Sequence, residues 1–158
     1  MGLRNIRLDT DPILRKKSRK VEIVDDKIKQ LVEDMFETMY HSNGVGLAAV
    51  QVGVLKQVIV IDVSEIDEDN EKYVLINPEI VKESGEQIVD EGCLSFPHLF
   101  GKVRRPCKVT VRALDENGKK QEIKASGLLA QAISHEVDHL NGIVFIDKVE
   151  ENSLWREE

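Results

Sequence analysis

The chain has 158 residues, 41% hydrophobic and 32% charged, with a formal net charge of −7, a size and balance that suit one domain over 1–158 burying roughly two-thirds of its unfolded surface. No apolar run approaches the ~20 residues of a membrane span, and no basic stripe is dense enough to follow a phosphate backbone, so neither membrane insertion nor direct reading of nucleic acid is expected. The start, Met1-Gly-Leu-Arg-Asn-Ile6, carries no signal-peptide core or myristoylation signal. With two cysteines, Cys93 and Cys107, and no CxxC pair, reduced thiols and a cytoplasmic location are the expectation.

In chain order, the basic run Arg15-Lys-Lys-Ser-Arg-Lys20 reads as a solvated loop or helix flank. Over 25–43, Ile28, Leu31, Val32, Met35, Phe36, Met39 and Tyr40 recur at the i, i+3, i+4, i+7 spacing of an amphipathic helix, capped by Asp25 or Asp26 and stopped by Gly44. Residues 44–53 are too rich in glycine and alanine for a plain strand, whereas the β-branched 57–63 predict one. A charged loop over 64–72 leads to a strand over 73–76 closed by Asn77-Pro78, and 80–89 predict a further strand or two around Gly85. A hairpin is predicted from 109–114, through the turn Asp115-Glu-Asn-Gly118, to 121–125. The last helix is predicted over 126–140 with Gly142 as its stop, followed by strand-like 143–146 and a charged tail. A first amphipathic helix, a block of strands and a final helix make an α+β pattern, with antiparallel or mixed sheets around a central C-terminal helix, rather than alternating βαβ units.

That last helix carries Ser134-His-Glu-Val-Asp-His-Leu-Asn-Gly142. Its histidines, His135 and His139, project from one face with Glu136 beside them, the HExxH arrangement that binds a divalent metal and supplies a general base. A catalytic centre of this kind uses three protein ligands and keeps a position open for water, so a third ligand is required. The candidates are His41, His98, Cys93, Cys107 and the acidic residues. Cys107 begins an alternating strand and reads as a small buried hydrophobe, while His41 at the first helix end and His98 in a loop read as solvent-facing. Cys93 follows a glycine that lets the backbone approach another group closely, and thiolate is a strong ligand for zinc or ferrous iron.

Three segments in this order, Gly44-Val-Gly-Leu-Ala-Ala-Val-Gln51, Glu91-Gly-Cys-Leu-Ser95 and His135-Glu-Val-Asp-His139, resemble the signature of the peptide deformylases. Asp11-Pro-Ile-Leu-Arg15, Asn77-Pro78, Val103-Arg-Arg-Pro106 and Asp115-Glu-Asn-Gly118 extend the resemblance over most of the chain. The resemblance implies that Cys93, His135 and His139 hold one divalent metal, generally Fe2+, which Zn2+, Ni2+ or Co2+ can replace. It implies a hydrolase that removes the formyl group from the N-terminal formyl-methionine of newly made polypeptides and releases formate. By the same resemblance, water activated at the metal would attack the formyl carbon, with Glu136 taking its proton and passing it to the departing amine. The Gln51 side-chain amide and the Leu94 backbone N–H, with the metal, stabilise the oxyanion. By the resemblance Gly46, otherwise a plain turn glycine after the helix, lets the loop pass close to the substrate, Val45, Leu128 and Ala132, which without the resemblance read as core residues, are candidates for the methionine pocket, and Glu91 joins the substrate-binding set. Glu91 and Arg105 look like the pair that in relatives links the cysteine segment to the following strand, although from sequence alone the pair reads as surface charge, and Asp138 reads equally as a partner that orients the site or as a solvated helix residue. The partners implied are N-formyl-methionyl nascent peptides.

Val50 stands where the family usually has proline and Ser134 where it usually has glutamine; neither removes a group the chemistry requires. The acidic tail over 150–158 is a poor electrostatic match for RNA, so a transient ribosome contact at most is expected through it. A zinc peptidase of another HExxH family would need a downstream ligand, in practice Glu150 or Glu151, and would leave the first two segments without a purpose. A catalytically silent homologue that binds peptide N-termini would be betrayed by loss of Glu136, Gln51 or a ligand, and all are present.

Overall fold

The computed structural model describes residues 2–66 and 71–157, so Met1, Glu158 and the middle of the charged loop predicted over 64–72 lie outside the described residues. In chain order the described elements are α1 (Asp26–His41), β1 (Gly46–Ala48), β2 (Val58–Asp62), β3 (Lys72–Ser84), β4 (Gln87–Cys93), β5 (Phe96–Arg105), β6 (Lys108–Leu114), β7 (Lys120–Ser126), α2 (Gly127–Leu140) and β8 (Trp155–Arg156). They form a five-stranded antiparallel sheet in the order β1-β2-β3-β6-β7 and a three-stranded one in the order β4-β5-β8. No described helix is long and apolar enough to cross a membrane.

The Val-Ile-Val-Ile run of β2 shows why the larger sheet sits where it does. A strand that is apolar on both sides needs packing on both sides. Ile59 and Ile61 join Leu129, Ala130 and Ile133 of α2 in one core, and Val58 and Val60 join Ile28, Met35 and Met39 of α1 in a second. The sheet is therefore sandwiched between the two helices. A third, smaller core of Leu14, Phe96, Val103, Val144 and Phe145 attaches the three-stranded sheet.

Local chemistry fixes the ends. The Asp25 side chain caps α1 by accepting from Ile28 N at 3.0 Å, and the Gly44 N–H returns to the Met39 carbonyl at 2.9 Å. In the hairpin turn, Asp115 Oδ1 accepts from the N–H groups of Asn117 and Lys119.

Several expectations are corrected. Asn77-Pro78 does not close a strand: β3 runs on through it as a bulge, with the register shifting between Ile76 and Glu79 and Asn77 at φ 53°. The Asn77 side chain exchanges two 2.8 Å hydrogen bonds with the Val21 backbone, which holds the bulge in place. Residues 143–146 are not a strand, because Phe145–Asp147 is a 3₁₀ turn in which Asp147 accepts from Val144 N. His98 lies in β5 rather than a loop, exposed as expected, and Cys107 is half-buried just before β6. The tail is not merely charged, since β8 pairs with Leu99 and Phe100 at the edge of β5.

Candidate active site

Helix α2 packs Leu129, Ala130 and Ile133 onto the large sheet, and one helical turn further along it carries His135, Glu136 and His139, all buried. The end of β4 brings Cys93 to the same place. His139 Nε2 lies 3.3 Å from Cys93 Sγ, the two imidazole rings are 4.9 Å apart at 71°, and one ligand atom from each of Cys93, His135 and His139 falls within 4.8 Å of the others. Glu150 and Glu151 take no part in this group: Glu150 pairs with Arg104 at 2.9 Å and Glu151 is exposed.

The donor set suits a divalent cation. A sulfur and an imidazole nitrogen that share a tetrahedral ion at bond lengths of about 2.3 and 2.05 Å stand roughly 3.5 Å apart, close to the Cys93–His139 separation. Burial, reinforced by the charge of His135, pushes the His139 imidazole well below its ordinary pKa. It is thus neutral, the form that ligates a metal, and its Nδ1 is a buried polar atom with no hydrogen-bond partner among the described residues. For His135, burial works against the imidazolium, but the charge of Glu136 and hydrogen bonds with Cys93 and Glu91 outweigh it and raise the pKa well above normal. Metal binding there would release a proton.

Glu91 sets the orientation of His135. Burial would raise its carboxyl, but hydrogen bonds from His135 and Arg105 outweigh this and hold it at about 2. An ionised carboxylate only accepts, so His135 Nδ1, 2.8 Å from Glu91 Oε2, must be the donor, and Nε2 is left for the metal. Glu91 also accepts from Arg105 Nε at 3.0 Å and Nη2 at 2.5 Å, and from Gln131 at 3.5 Å. Both its oxygens accept hydrogen bonds and it is 3% exposed, at the floor of the cleft that it helps to line. Arg105 is as buried as its partner, and its Nη1 donates to Asp138 at 2.7 Å, which Lys148 also meets. The pair that sequence alone could leave on the surface is a buried three-membered network.

Glu136 sits opposite β1. An added Cβ at Gly46 would fall 2.7 Å from Glu136 Oε2, so position 46 lacks a side chain because the carboxyl occupies its space. Burial pushes this carboxyl up to about 7, and its Oε1 has no partner among the described residues. Gln51, in the 3₁₀ turn Ala49–Val52 beside the buried Val50, is fixed at both ends. Its Oε1 accepts from Ala48 N at 3.0 Å, which settles the amide orientation, and its Nε2 points to Ser95 Oγ at 3.1 Å and Cys93 Sγ at 3.5 Å. Ser95, wholly buried, is a site residue that sequence reasoning passed over; its place two residues after Cys93 was the available signal. The Leu94 N–H makes no hydrogen bond among the described residues.

Over the cluster opens a cleft of about 560 Å³. Val45 and Gly46 line one side, Leu128 and Ala132 of α2 another, and the stretch of β5 from Pro97 to Phe100 a third. His41 and Cys107 line none of it, and His98 is on its rim. The site thus joins a three-residue cluster that could hold a metal ion, a buried carboxyl pushed up to about 7, an anchored amide donor and an apolar groove.

A model of the polypeptide deformylase family matches residues 3–155. The chain is 57% identical to a peptide deformylase of Alkaliphilus metalliredigens over 94% of its length and 98% of the relative's, and 56% identical to one of Acetivibrio thermocellus over 94% and 85%. Its fold is similar to the crystal structure of a peptide deformylase from Synechococcus elongatus in complex with actinonin, with a TM-score of 0.89, 45% identity, and 94% and 81% of the two chains covered. It is likewise similar to one from Legionella pneumophila, with a TM-score of 0.88, 46% identity, and 94% and 87% covered.

Proposed function

The chain belongs to the polypeptide deformylase family and is a metal-dependent hydrolase that acts on formylated peptides; from that premise we propose how its residues divide the work. Cys93, His135 and His139 would hold one divalent metal, ferrous iron first and zinc, nickel or cobalt as replacements, with softness and availability choosing among them. When bound, the metal supplies Lewis acidity, polarising the formyl group and lowering the pKa of water at the site.

The observation that carries this reading is the buried carboxyl of Glu136 beside the Cys93–His135–His139 cluster, pushed up to about 7 by burial and with one oxygen lacking a partner among the described residues. Such a group can accept the proton of the attacking water and return it to the amine nitrogen as the carbon–nitrogen bond breaks. Water adds to the formyl carbon, and formate and a free N-terminal amine leave. Gln51 Nε2, held by Ala48 and directed past Ser95, and the Leu94 N–H are the donors for the developing oxyanion. Gly46 leaves the room Glu136 needs, and Val45, Leu128 and Ala132 receive the methionine side chain. Glu91 and Arg105 keep His135 in the required tautomer. The substrates are nascent peptides in the cytoplasm. At a net charge of −7 the chain and ribosomal RNA repel, so any ribosome contact is transient.

The test is formate release from an N-formyl-methionyl tripeptide by protein purified without oxygen and loaded with ferrous iron, beside the N-acetyl peptide. Formyl-selective release is expected; no release with one metal bound per chain overturns the reading. A Glu136→Ala variant that binds metal and keeps full activity overturns the role given to that residue.

A further inference from the structure

Strand β8 brings the chain's one tryptophan against the wall of the cleft. Trp155 is the register partner of Phe100, and their rings stack 4.7 Å apart at 22°. Phe100 lines the cleft and lies across Gly92, where an added Cβ would fall 2.6 Å from its Cε1 and 2.8 Å from its Cδ1. Gly92 immediately precedes Cys93, and the β4–β5 register shifts between the two. Leu154 covers Gly101 in the same manner: a Cβ there would meet Val149 Cγ1 at 2.7 Å and Leu154 Cδ2 at 3.2 Å. Two missing side chains on the β4–β5 hairpin thus form a seat, and backbone bonds from Glu150 N to Lys102 O and from Glu157 N to His98 O, both 2.7 Å, tie the tail into it.

We propose that Trp155 is a positioning residue that holds Phe100 as the part of the cleft wall met by the peptide residues after the formyl-methionine, an inference that rests on the deformylase reading. With the reacting carbonyl at Cys93 and the methionine side chain among Val45, Leu128 and Ala132, the β5 wall from Pro97 to Phe100 is an apolar surface of the cleft, across from Ser42 to Gly44, open to the following residues. Phe100 lies over the bare backbone of Gly92 on one side and stacks on Trp155, so the tryptophan ring is the aromatic surface that holds it in place. Trp155 is 47% exposed, outside the three cores, so its removal leaves the fold standing.

The test uses the metal-loaded full chain as wild type, Trp155→Ala and Trp155→Phe, with a formyl-methionyl tripeptide and with formyl-methionine amide. Loss of an aromatic stack predicts a KM for the tripeptide raised roughly three- to tenfold in Trp155→Ala, a smaller rise for the amide, a kcat that moves less than KM, and recovery in Trp155→Phe. Because all tryptophan emission comes from residue 155, the wild-type emission is also expected to change saturably as the deformylated tripeptide is added. Equal effects on both substrates, no recovery by Trp155→Phe, or emission that stays fixed at peptide concentrations saturating the kinetics would overturn the proposal. Wild type that releases no formate from either substrate defeats the deformylase reading itself, and is told apart by needing no variant.

Discussion

Replacing Glu91 with glutamine removes one charge from the buried network while keeping its shape. In the folded chain this carboxyl ionises at about 2 against an ordinary 4.5, a difference on the order of 3 kcal/mol. A depressed carboxylate stabilises the fold above its unfolded pKa, and that contribution drains away as pH falls from about 4.5 towards about 2. Urea unfolding of metal-free wild type and Glu91→Gln, compared at intervals between pH 5.5 and 3, isolates the effect. Other carboxylates titrate in both proteins, and His135, raised above its ordinary pKa of 6.5, stays protonated throughout this window in folded and unfolded chains. The wild type is expected to lose its advantage over the variant as the pH drops, most of it below pH 4.5. At neutral pH the variant should also bind zinc roughly 10- to 100-fold more weakly, because His135 loses its ionised acceptor and the new amide NH2 is set against the donors of Arg105 or His135. Parallel stability profiles, or unchanged zinc affinity, would refute the account of Glu91 as the residue that orders the site.

Gly46→Ala would push the Glu136 carboxyl by several tenths of an ångström out of the 2.7 Å overlap; kcat is expected to fall roughly 10- to 100-fold with metal content unchanged, measured by metal analysis and formate release. Gln51→Leu removes the anchored donor, and kcat should drop about 100- to 1000-fold with KM altered far less, which steady-state kinetics will show. Chelation of the metal should lower the melting temperature, since a ligand present at 1000 times its Kd contributes about 4 kcal/mol; a melting curve indifferent to chelator would mean that the cluster binds metal weakly or not at all.

Both helices could be read from the sequence because each buries a stripe at helical spacing, and the β6–β7 hairpin because Asp115 to Gly118 spell out its turn. What escaped were features set by distant partners. Only one residue of β4 and four of β5 are buried, so their pattern is faint, and β8 exists only because β5 offers an edge. Asn77-Pro78 carries the usual mark of a turn, yet the Val21 backbone supplies the bonds that let a strand pass through it. At the site, the spacing of His135 and His139 pointed to a metal by itself, whereas Cys93 needed the resemblance, since 42 residues separate it from His135 and no local period links them. Ser95 and the steric demand of Glu136 on Gly46 are contacts across the fold, which no local pattern encodes.

The placement of the three ligands also bears on the molecule's mechanics. Cys93 belongs to the small sheet, and His135 and His139 to a helix packed on the large one. An ion shared among them would be a cross-link between two bodies also tied by the Phe96–Phe145 core, the Glu91–Arg105–Asp138 network and the bonds of Gln51 and His135 to the small sheet. Amide hydrogen exchange in the β4–β5 hairpin should therefore slow when metal binds, while that of β2 at the centre of the sandwich stays as it was.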